Sequence, residues 1–351
     1  MHPYRSQPTH SFWSKSIAKT PPQEVDPVVA PKFTIDRETR ISTAGSCFAQ
    51  HIAHRLIASG FNYLITEPAH PLLPDAIAAR FNYGNFTARF GNLYTSRQLL
   101  QLFDRAYGTF TPMENAWIEE DGTVIDPFRP QLTPGGYKST EELEVEREGH
   151  FKAVRAMFEQ ADIFIFTLGL TETWTDRRDG AAYPVCPGTA AGTFDVDKHA
   201  FVNLDYEDVL ADMSAFIERL KAVNPSVKLL LTVSPVPLVA TATDNHVLVA
   251  TTYSKSVLRA VADKLTRSHD DVFYFPSYEI ITGNFNEGRY YQEDRREVRP
   301  VGVDHVMRLF FKHYCGIDAD VPVAEGAKPS AIRDDVERLT QVLCDEEMLD
   351  S

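Results

Sequence analysis

The chain has 351 residues and a formal net charge of −14, from 35 basic and 49 acidic side chains. Hydrophobic residues make up 43% and charged residues 24% of the chain, as in folded globular domains and unlike disordered chains. The negative charge argues against binding to nucleic acid or to an anionic membrane surface, because both are themselves negatively charged.

The cysteines and the apolar runs indicate the class of protein. The four cysteines lie far apart without a CxxC pair, which excludes a disulfide framework and a zinc ribbon. The N-terminal segment lacks the apolar stretch of a secretory signal, and the longest apolar runs, such as 163–168, are far shorter than a membrane span. We therefore expect a soluble, cytoplasmic protein with no membrane segment, metal or cofactor.

The chain begins with a segment that shows no sustained hydrophobic period. Residues 1–35 are rich in Pro, Ser and Lys, which predicts an extended arm. A first strand is predicted at 40–44, followed by an amphipathic helix that ends at Gly60. A second strand is expected at 61–66, so the folded domain begins near residue 36.

Three further strands each follow an amphipathic helix, at 162–168, 227–233 and 272–275. Strands made of unbroken apolar residues are buried on both faces, as parallel strands between helices are. Five such strands predict one doubly wound, three-layer α/β domain over residues 36–318, with a mostly parallel sheet.

Two long stretches, 67–145 and 170–204, are predicted to be mostly loops and short helices inserted over one edge of the sheet. Residues 319–330 are expected to form a linker, and 331–351 an amphipathic helix with an acidic outer face. This helix packs on the domain or, alternatively, forms a homodimer contact.

Small and polar residues follow four of the predicted strands. In open α/β sheets, binding sites form outside the carboxyl ends of the strands. The segments concerned are Gly45-Ser46-Cys47, Gly169-Leu170-Thr171-Glu172, Ser234-Pro235-Val236 and Pro276-Ser277-Tyr278-Glu279.

The first of these segments contains a candidate nucleophile. A hydroxyl or thiol at a strand-to-helix turn lies beside free N–H groups, which stabilise an oxyanion and lower the pKa of a thiol. The alternative is structural: Ser46 only caps the helix, and Cys47 is a small buried hydrophobic residue.

The segment 45–49, Gly-Ser-Cys-Phe-Ala, is the signature of the GSCFA-domain family. The chain also resembles that family at the segments 167–169, 234–236, 274–279 and 290–294, and the resemblance covers roughly residues 37–315. The family is similar to the SGNH/GDSL hydrolases. This resemblance implies a flavodoxin-like fold and ester chemistry on acylated substrates, often glycans.

The resemblance also implies roles for individual residues. When the Gly-Asp-Ser motif of the GDSL hydrolases is laid on this chain, Gly45 matches its Gly and Cys47 its nucleophilic Ser. That register favours Cys47 as the attacking group, with Ser46 as the alternative. The second oxyanion donor corresponds to Gly91, which Asn92 follows.

The third oxyanion donor of the SGNH hydrolases is the Asn of a Gly-x-Asn-Asp motif. Gly169 matches the Gly of that motif, and Thr171, followed by Glu172, replaces the Asn. A Thr hydroxyl offers one donor where an amide offers two. Because losing one oxyanion donor costs other enzymes roughly 3–4 kcal/mol, Thr171 is expected to serve weakly.

The expected general base is missing from the sequence. SGNH hydrolases take it from an Asp-x-x-His motif, but here Asp294 is followed three residues later by Glu297. The candidate substitutes are His305 on the following helix and His246 after the fourth strand, each of which is otherwise a surface or packing histidine. Glu297 would itself act as a base only if burial raised its pKa.

Three further side chains are expected near the site. Ser234 ends the fourth strand, and Tyr278 lines the pocket or braces it. Lys255 meets an anionic substrate or, alternatively, lies on a solvated helix face.

Two functional hypotheses from different classes follow. The first is an esterase or O-acyltransferase that forms a covalent acyl-enzyme on a small-molecule or glycan ester. The second is an inactive module that binds a glycan or an acyl ligand and kept the fold after losing its base. A pure scaffold protein is a third reading.

Overall fold

The computed structural model describes residues 2–317. The helices of this part of the chain are α1 (Trp13–Ser16), α2 (Cys47–Ala58), α3 (Asp75–Arg80), α4 (Ser96–Ala106), α5 (Thr140–Gln160), α6 (Tyr206–Val223), α7 (Val247–Ser268), α8 (Ser277–Thr282) and α9 (Pro300–Cys315). The strands are β1 (Ile41–Gly45), β2 (Trp117–Ile118), β3 (Val124–Ile125), β4 (Ile163–Leu168), β5 (Glu172–Asp176), β6 (Ala182–Tyr183), β7 (His199–Asn203), β8 (Lys228–Val233) and β9 (Val272–Tyr274).

The central sheet has four parallel strands in the order β1-β4-β8-β9. The fifth predicted strand, 61–66, forms only one parallel bridge, between Tyr63 and Ile41. Beyond that bridge Thr87 takes the place of a strand partner, because its hydroxyl accepts the Thr43 N–H at 3.2 Å. The predicted α/β class is confirmed, and counting the bridge gives the flavodoxin-like strand order 2-1-3-4-5.

Helices cover both faces of this sheet. The side chains of β4 alternate between the two: Phe164 and Phe166 pack with α4 to α7, and Ile163 and Ile165 pack with α2, α8 and α9. All six residues of β4 are buried. This double burial is why the strand is an unbroken apolar run in the sequence.

The inserted segment 170–204 differs from its prediction as loops and short helices. It forms an antiparallel sheet of three strands in the order β6-β5-β7. Its central strand places Trp174 opposite Tyr183 on one side and Phe201 on the other. Aromatic cross-strand pairs stabilise such a sheet although its strands are short.

The N-terminal residues lie against α9. Val25 is buried, and the Ile35 N–H donates to the Tyr314 carbonyl at 2.7 Å. The predicted linker and C-terminal helix, 319–351, lie outside the described residues. Within residues 2–317, no helix is both long and apolar enough to cross a membrane.

Candidate active site

The turn between β1 and α2 is built around a glycine. Gly45 has a φ of +140°, and a Cβ there would lie 2.4 Å from the Thr167 carbonyl oxygen on β4. Ser46 occupies the N-cap of α2 and Cys47 is its first residue. The two are only 3% and 4% exposed, respectively. Ser46 makes no side-chain cap bond, and nothing in the described part of the chain hydrogen-bonds its Oγ.

Backbone hydrogen bonds hold three predicted site segments together. The Leu93 N–H donates to the Gly45 carbonyl at 2.8 Å. The Tyr94 carbonyl accepts from the N–H groups of Gly169 and Leu170 at 3.0 and 2.9 Å. A Cβ at Gly169 would lie 3.1 Å from the Cβ of Ser46. The ends of β1 and β4 therefore meet around the crossing segment 93–94.

The predicted donor segment at Gly91 lies beside this crossing. Gly91 has a φ of +75°, in the left-handed region that favours glycine. The next side chain, Asn92, is buried and accepts from Gln50 Nε2 at 3.0 Å. Gln50 lies one turn after Cys47 on α2, and with Gly91 and Asn92 it lines a cavity of about 30 Å³. Sequence reasoning missed Gln50, although its i+3 spacing from Cys47 on a predicted helix was a usable signal.

Thr171 is fully buried and bonded within the protein. Its hydroxyl donates to Asn203 Oδ1 at 2.6 Å, and its N–H donates to Ser254 Oγ at 3.0 Å. The one hydroxyl donor of Thr171 is thus occupied in this structure. The geometry supports a bracing role for this side chain rather than an oxyanion contact.

Lys255 lies under the same loop. Its side chain is buried, and its Nζ donates to the Gly169 carbonyl at 2.6 Å. The solvated position considered for it is therefore not the one observed. An ammonium in that position holds the loop that follows β4.

The remaining predicted lining residues are also bonded inside the protein. The Oγ of buried Ser234 accepts from the Val236 N–H at 3.3 Å. Glu172 accepts from the Thr241 hydroxyl at 2.6 Å. Tyr278 packs against the apolar cluster on the α4-to-α7 face, and burial raises its pKa.

The two candidate histidines are engaged elsewhere. His305 Nδ1 hydrogen-bonds with the Tyr290 hydroxyl at 2.7 Å, and its Nε2 with the Val25 carbonyl at 2.9 Å. Burial lowers the pKa of His305 to about 4. His246 is exposed and caps α7, where its Nδ1 accepts from the Leu248 N–H at 3.1 Å. Neither histidine has a hydrogen bond to the Ser46 or Cys47 side chain among the described contacts.

The loop that carries Asp294 and Glu297 lies at the end of β8, because the Tyr291 hydroxyl donates to the Pro235 carbonyl at 2.9 Å. Both carboxylates are exposed. Asp294 accepts from the Glu297 N–H at 3.2 Å, within its own loop. Glu297 lacks the burial that a base role would require.

A mostly buried charge network that sequence reasoning missed joins the inserted segment 67–145 to α5. It consists of Glu67, Arg89, Asp126, Arg129, Glu146, Arg147 and His150. Glu67 accepts from His150 Nδ1 at 2.7 Å. Burial alone would raise the pKa of Glu67, but the hydrogen bond from His150 and the charges of His150 and Arg129 lower it to about 2.

A larger cavity, of about 240 Å³, opens beside Leu170. It lies between the small sheet of β5, β6 and β7 and the loop 238–242, which follows β8. Among residues 2–317, no group of side chains has a composition and spacing that would hold a metal ion.

No curated protein matches the chain. Among solved structures it is similar to the crystal structure of a carbohydrate esterase family 3 from Talaromyces cellulolyticus, with 12% identity and a TM-score of 0.29. That match covers 81% of this chain and 100% of the other, and at such a score it carries no argument about fold or activity.

The family comparison is more specific. The model of the GSCFA family matches residues 40–310, from the start of the first strand into the last helix. The match includes the Gly-Ser-Cys turn, the loop after β4 and the loop after β8, and it confirms the resemblance seen in the sequence. The chain therefore belongs to the GSCFA family.

Proposed function

We propose that this protein is an esterase or O-acyltransferase of the SGNH-like type, whose nucleophile lies at the turn between β1 and α2. One observation carries the proposal: the Ser46 hydroxyl and the Cys47 thiol lie at the N-terminus of a 12-residue helix, and Ser46 Oγ has no partner among the described residues. The first N–H groups of a helix lack intrahelical partners and carry a positive dipole end. They suit a developing oxyanion.

The proposed reaction needs one nucleophile and no cofactor. The thiol of Cys47, or the hydroxyl of Ser46, gives up its proton and attacks the acyl carbonyl. The tetrahedral oxyanion then collapses, the ester C–O bond breaks, and the alcohol leaves with that proton. Water or an acceptor hydroxyl attacks the acyl-enzyme and restores the free side chain. The choice of acceptor decides between hydrolysis and transfer.

The second candidate function is a binding module without catalysis. The observation that favours it is the placement of the candidate bases. Both ring nitrogens of His305 are hydrogen-bonded, to the Tyr290 hydroxyl and the Val25 carbonyl. The carboxylates of Asp294 and Glu297 are exposed. A module of this kind would keep the fold and its cavity but would turn over no ester.

Turnover of p-nitrophenyl acetate separates these functions. An acetyl ester is the suitable probe because Ser46 and Cys47 are only 3% and 4% exposed. We expect Cys47→Ala to lower the rate at least about 100-fold, because it removes the attacking atom. Cys315→Ala, which changes a free thiol on α9 outside both cavities, is the matched control and should leave the rate unchanged.

The other outcomes assign the nucleophile or remove the proposal. If Ser46→Ala abolishes turnover and Cys47→Ala does not, Ser46 is the nucleophile. If neither substitution changes the rate above background, the binding module is the correct reading. Mass spectrometry after exposure to an activated acetyl ester should find the added acetyl group on the peptide that contains residues 46 and 47.

A further inference from the structure

We infer that the 240 Å³ cavity beside Leu170 binds an apolar alkyl chain rather than a sugar. Its assignment as the pocket for the acyl part of an ester rests on the proposed function. The binding of an alkyl chain does not. Three observations carry the inference: the position of the cavity, the composition of its wall and the state of its polar groups.

One wall of the cavity is formed by the loop that packs against Ser46. A Cβ at Gly169 would lie 3.1 Å from the Cβ of Ser46, and the next residue, Leu170, lines the cavity. On the far side, the loop 238–242 continues the chain from the end of β8. The cavity therefore shares the loop after β4 with the turn between β1 and α2, and this shared loop is the basis for assigning to it the acyl group of an ester bound at that turn.

The wall of the cavity is mainly apolar. Trp174 and Phe201 lie on adjacent strands with their ring centroids 5.6 Å apart. The other apolar side chains of the wall are Leu170, Pro184, Val185, Leu238, Val239, Ala240 and Ala242. An alkyl chain placed there leaves water for apolar surroundings, which is favourable for each methylene buried.

The hydroxyl groups of the wall have already used their donors. The hydroxyls of Thr173, Thr189 and Thr241 donate to the Tyr183 carbonyl, the Cys186 carbonyl and Glu172 Oε1, at 3.2, 2.7 and 2.6 Å. The Tyr183 hydroxyl also donates away from the cavity, to Glu114 at 2.6 Å. A sugar needs several donors and acceptors facing it, because each buried hydroxyl without a partner lowers affinity.

The negative charge in and around the cavity limits which alkyl compounds can bind. Glu172 is the one carboxylate of the wall, and the chain carries a net charge of −14. Burial raises the pKa of Cys186, another wall residue, to about 11, so its thiol is neutral. The cavity therefore favours an uncharged ester or alcohol over a free fatty acid.

The experiment is a fluorescence titration of the intact chain with primary alcohols from butanol to octanol. Trp174 lines the cavity, and Trp174→Phe identifies its share of the signal beside the other tryptophans. We expect saturable binding that tightens about fourfold with each added methylene until the cavity is full. Xylose and N-acetylglucosamine should produce no saturable change.

A matched pair of variants tests the location. Ala240 is exposed on the loop and lines the cavity, so Ala240→Phe should fill it and weaken octanol binding at least about tenfold. Asp244→Phe, two residues beyond this loop and outside the wall, should leave binding unchanged. Ala242→Phe is the second filling variant if Ala240→Phe fails to fold.

Sugar binding tighter than alcohol binding would overturn the inference. So would octanol binding that neither filling variant weakens, or the absence of any chain-length dependence. Failure of the proposed function gives a different result, because alcohols then bind with the expected dependence while the protein turns over no ester. If instead the protein hydrolyses p-nitrophenyl acetate but shows no preference for longer acyl chains, only the cavity assignment fails.

Discussion

At the turn between β1 and α2, one residue allows the backbone of two strands to approach closely. Gly45 combines a φ of +140° with contact to the Thr167 backbone, so a side chain there would be strained and would collide with β4. The Gly-Ser-Cys motif was readable in the sequence because such a turn depends on local residue identity. The segments that pack around this turn, 93–94 and Gly169, come from distant parts of the chain, which no local pattern reveals.

We expect Gly45→Ala to lower the free energy of unfolding by about 3 kcal/mol or more, because strain and a collision add together. Gly108→Ala is the matched control. Gly108 also has a positive φ, +73°, but a Cβ there would meet nothing within 4 Å. It should cost only about 1 kcal/mol. Urea denaturation measures both, and equal losses would contradict the close-contact explanation.

At the scale of elements, hydrophobic period predicted the main helices and strands. The strands β4, β8 and β9 appear within one or two residues of their predicted bounds. Burial on both faces makes β4 and β8 visible as mostly apolar runs. The segment 61–66 is as apolar as a strand but makes one bridge, since Thr87 takes its next partner position. Competition between segments distant in the sequence is invisible to a periodic pattern.

The contact between α9 and the N-terminal residues is expected to depend on pH through His305. Burial lowers the folded-state pKa of His305 to about 4, so as pH falls below about 6.5 the unfolded chain takes up a proton that the folded chain does not. Stability should therefore fall between pH 6.5 and 4, by roughly 2–3 kcal/mol from this residue. Urea denaturation across that range measures the loss.

His305→Gln keeps a donor for the Val25 carbonyl and an acceptor for the Tyr290 hydroxyl, and it should flatten this part of the pH dependence. His246→Gln changes an exposed histidine and should leave the profile as in the wild type. If both variants show the wild-type profile, His305 is not the group that titrates.

At the scale of the whole molecule, a mostly buried charge network joins the inserted segment 67–145 to α5 of the apolar three-layer core. Its partners are far apart in the sequence: Glu67 and His150 are separated by 83 residues, and Arg129 and Glu146 by 17. Charged residues at such separations show no period, so nothing in the sequence distinguished them from surface residues. The sheet of β5, β6 and β7 was predicted as loops because its two longer strands, Glu172–Asp176 and His199–Asn203, are not unbroken apolar runs.

Removing one charge from this network should destabilise the protein strongly. Asp126 is buried and pairs with Arg129 at 2.9 Å and Arg147 at 3.2 Å. Asp126→Asn leaves both guanidinium groups without that charge, at a cost of about 3–5 kcal/mol. Glu148→Gln, in an exposed pair with Lys152, should cost less than about 0.5 kcal/mol. Comparable losses in the two variants would show that burial of the network contributes nothing.

The crossing segment 93–94 limits how a reagent can approach the Cys47 thiol. The crossing binds both β1 and the loop after β4 through main-chain bonds, so the turn that carries the proposed nucleophile is fixed to the central sheet. It cannot swing outward to meet an incoming molecule. The turn is nearly closed to solvent, so the inserted segments above it determine which reagents can enter. Differences in access to this turn among related chains should therefore arise in those segments.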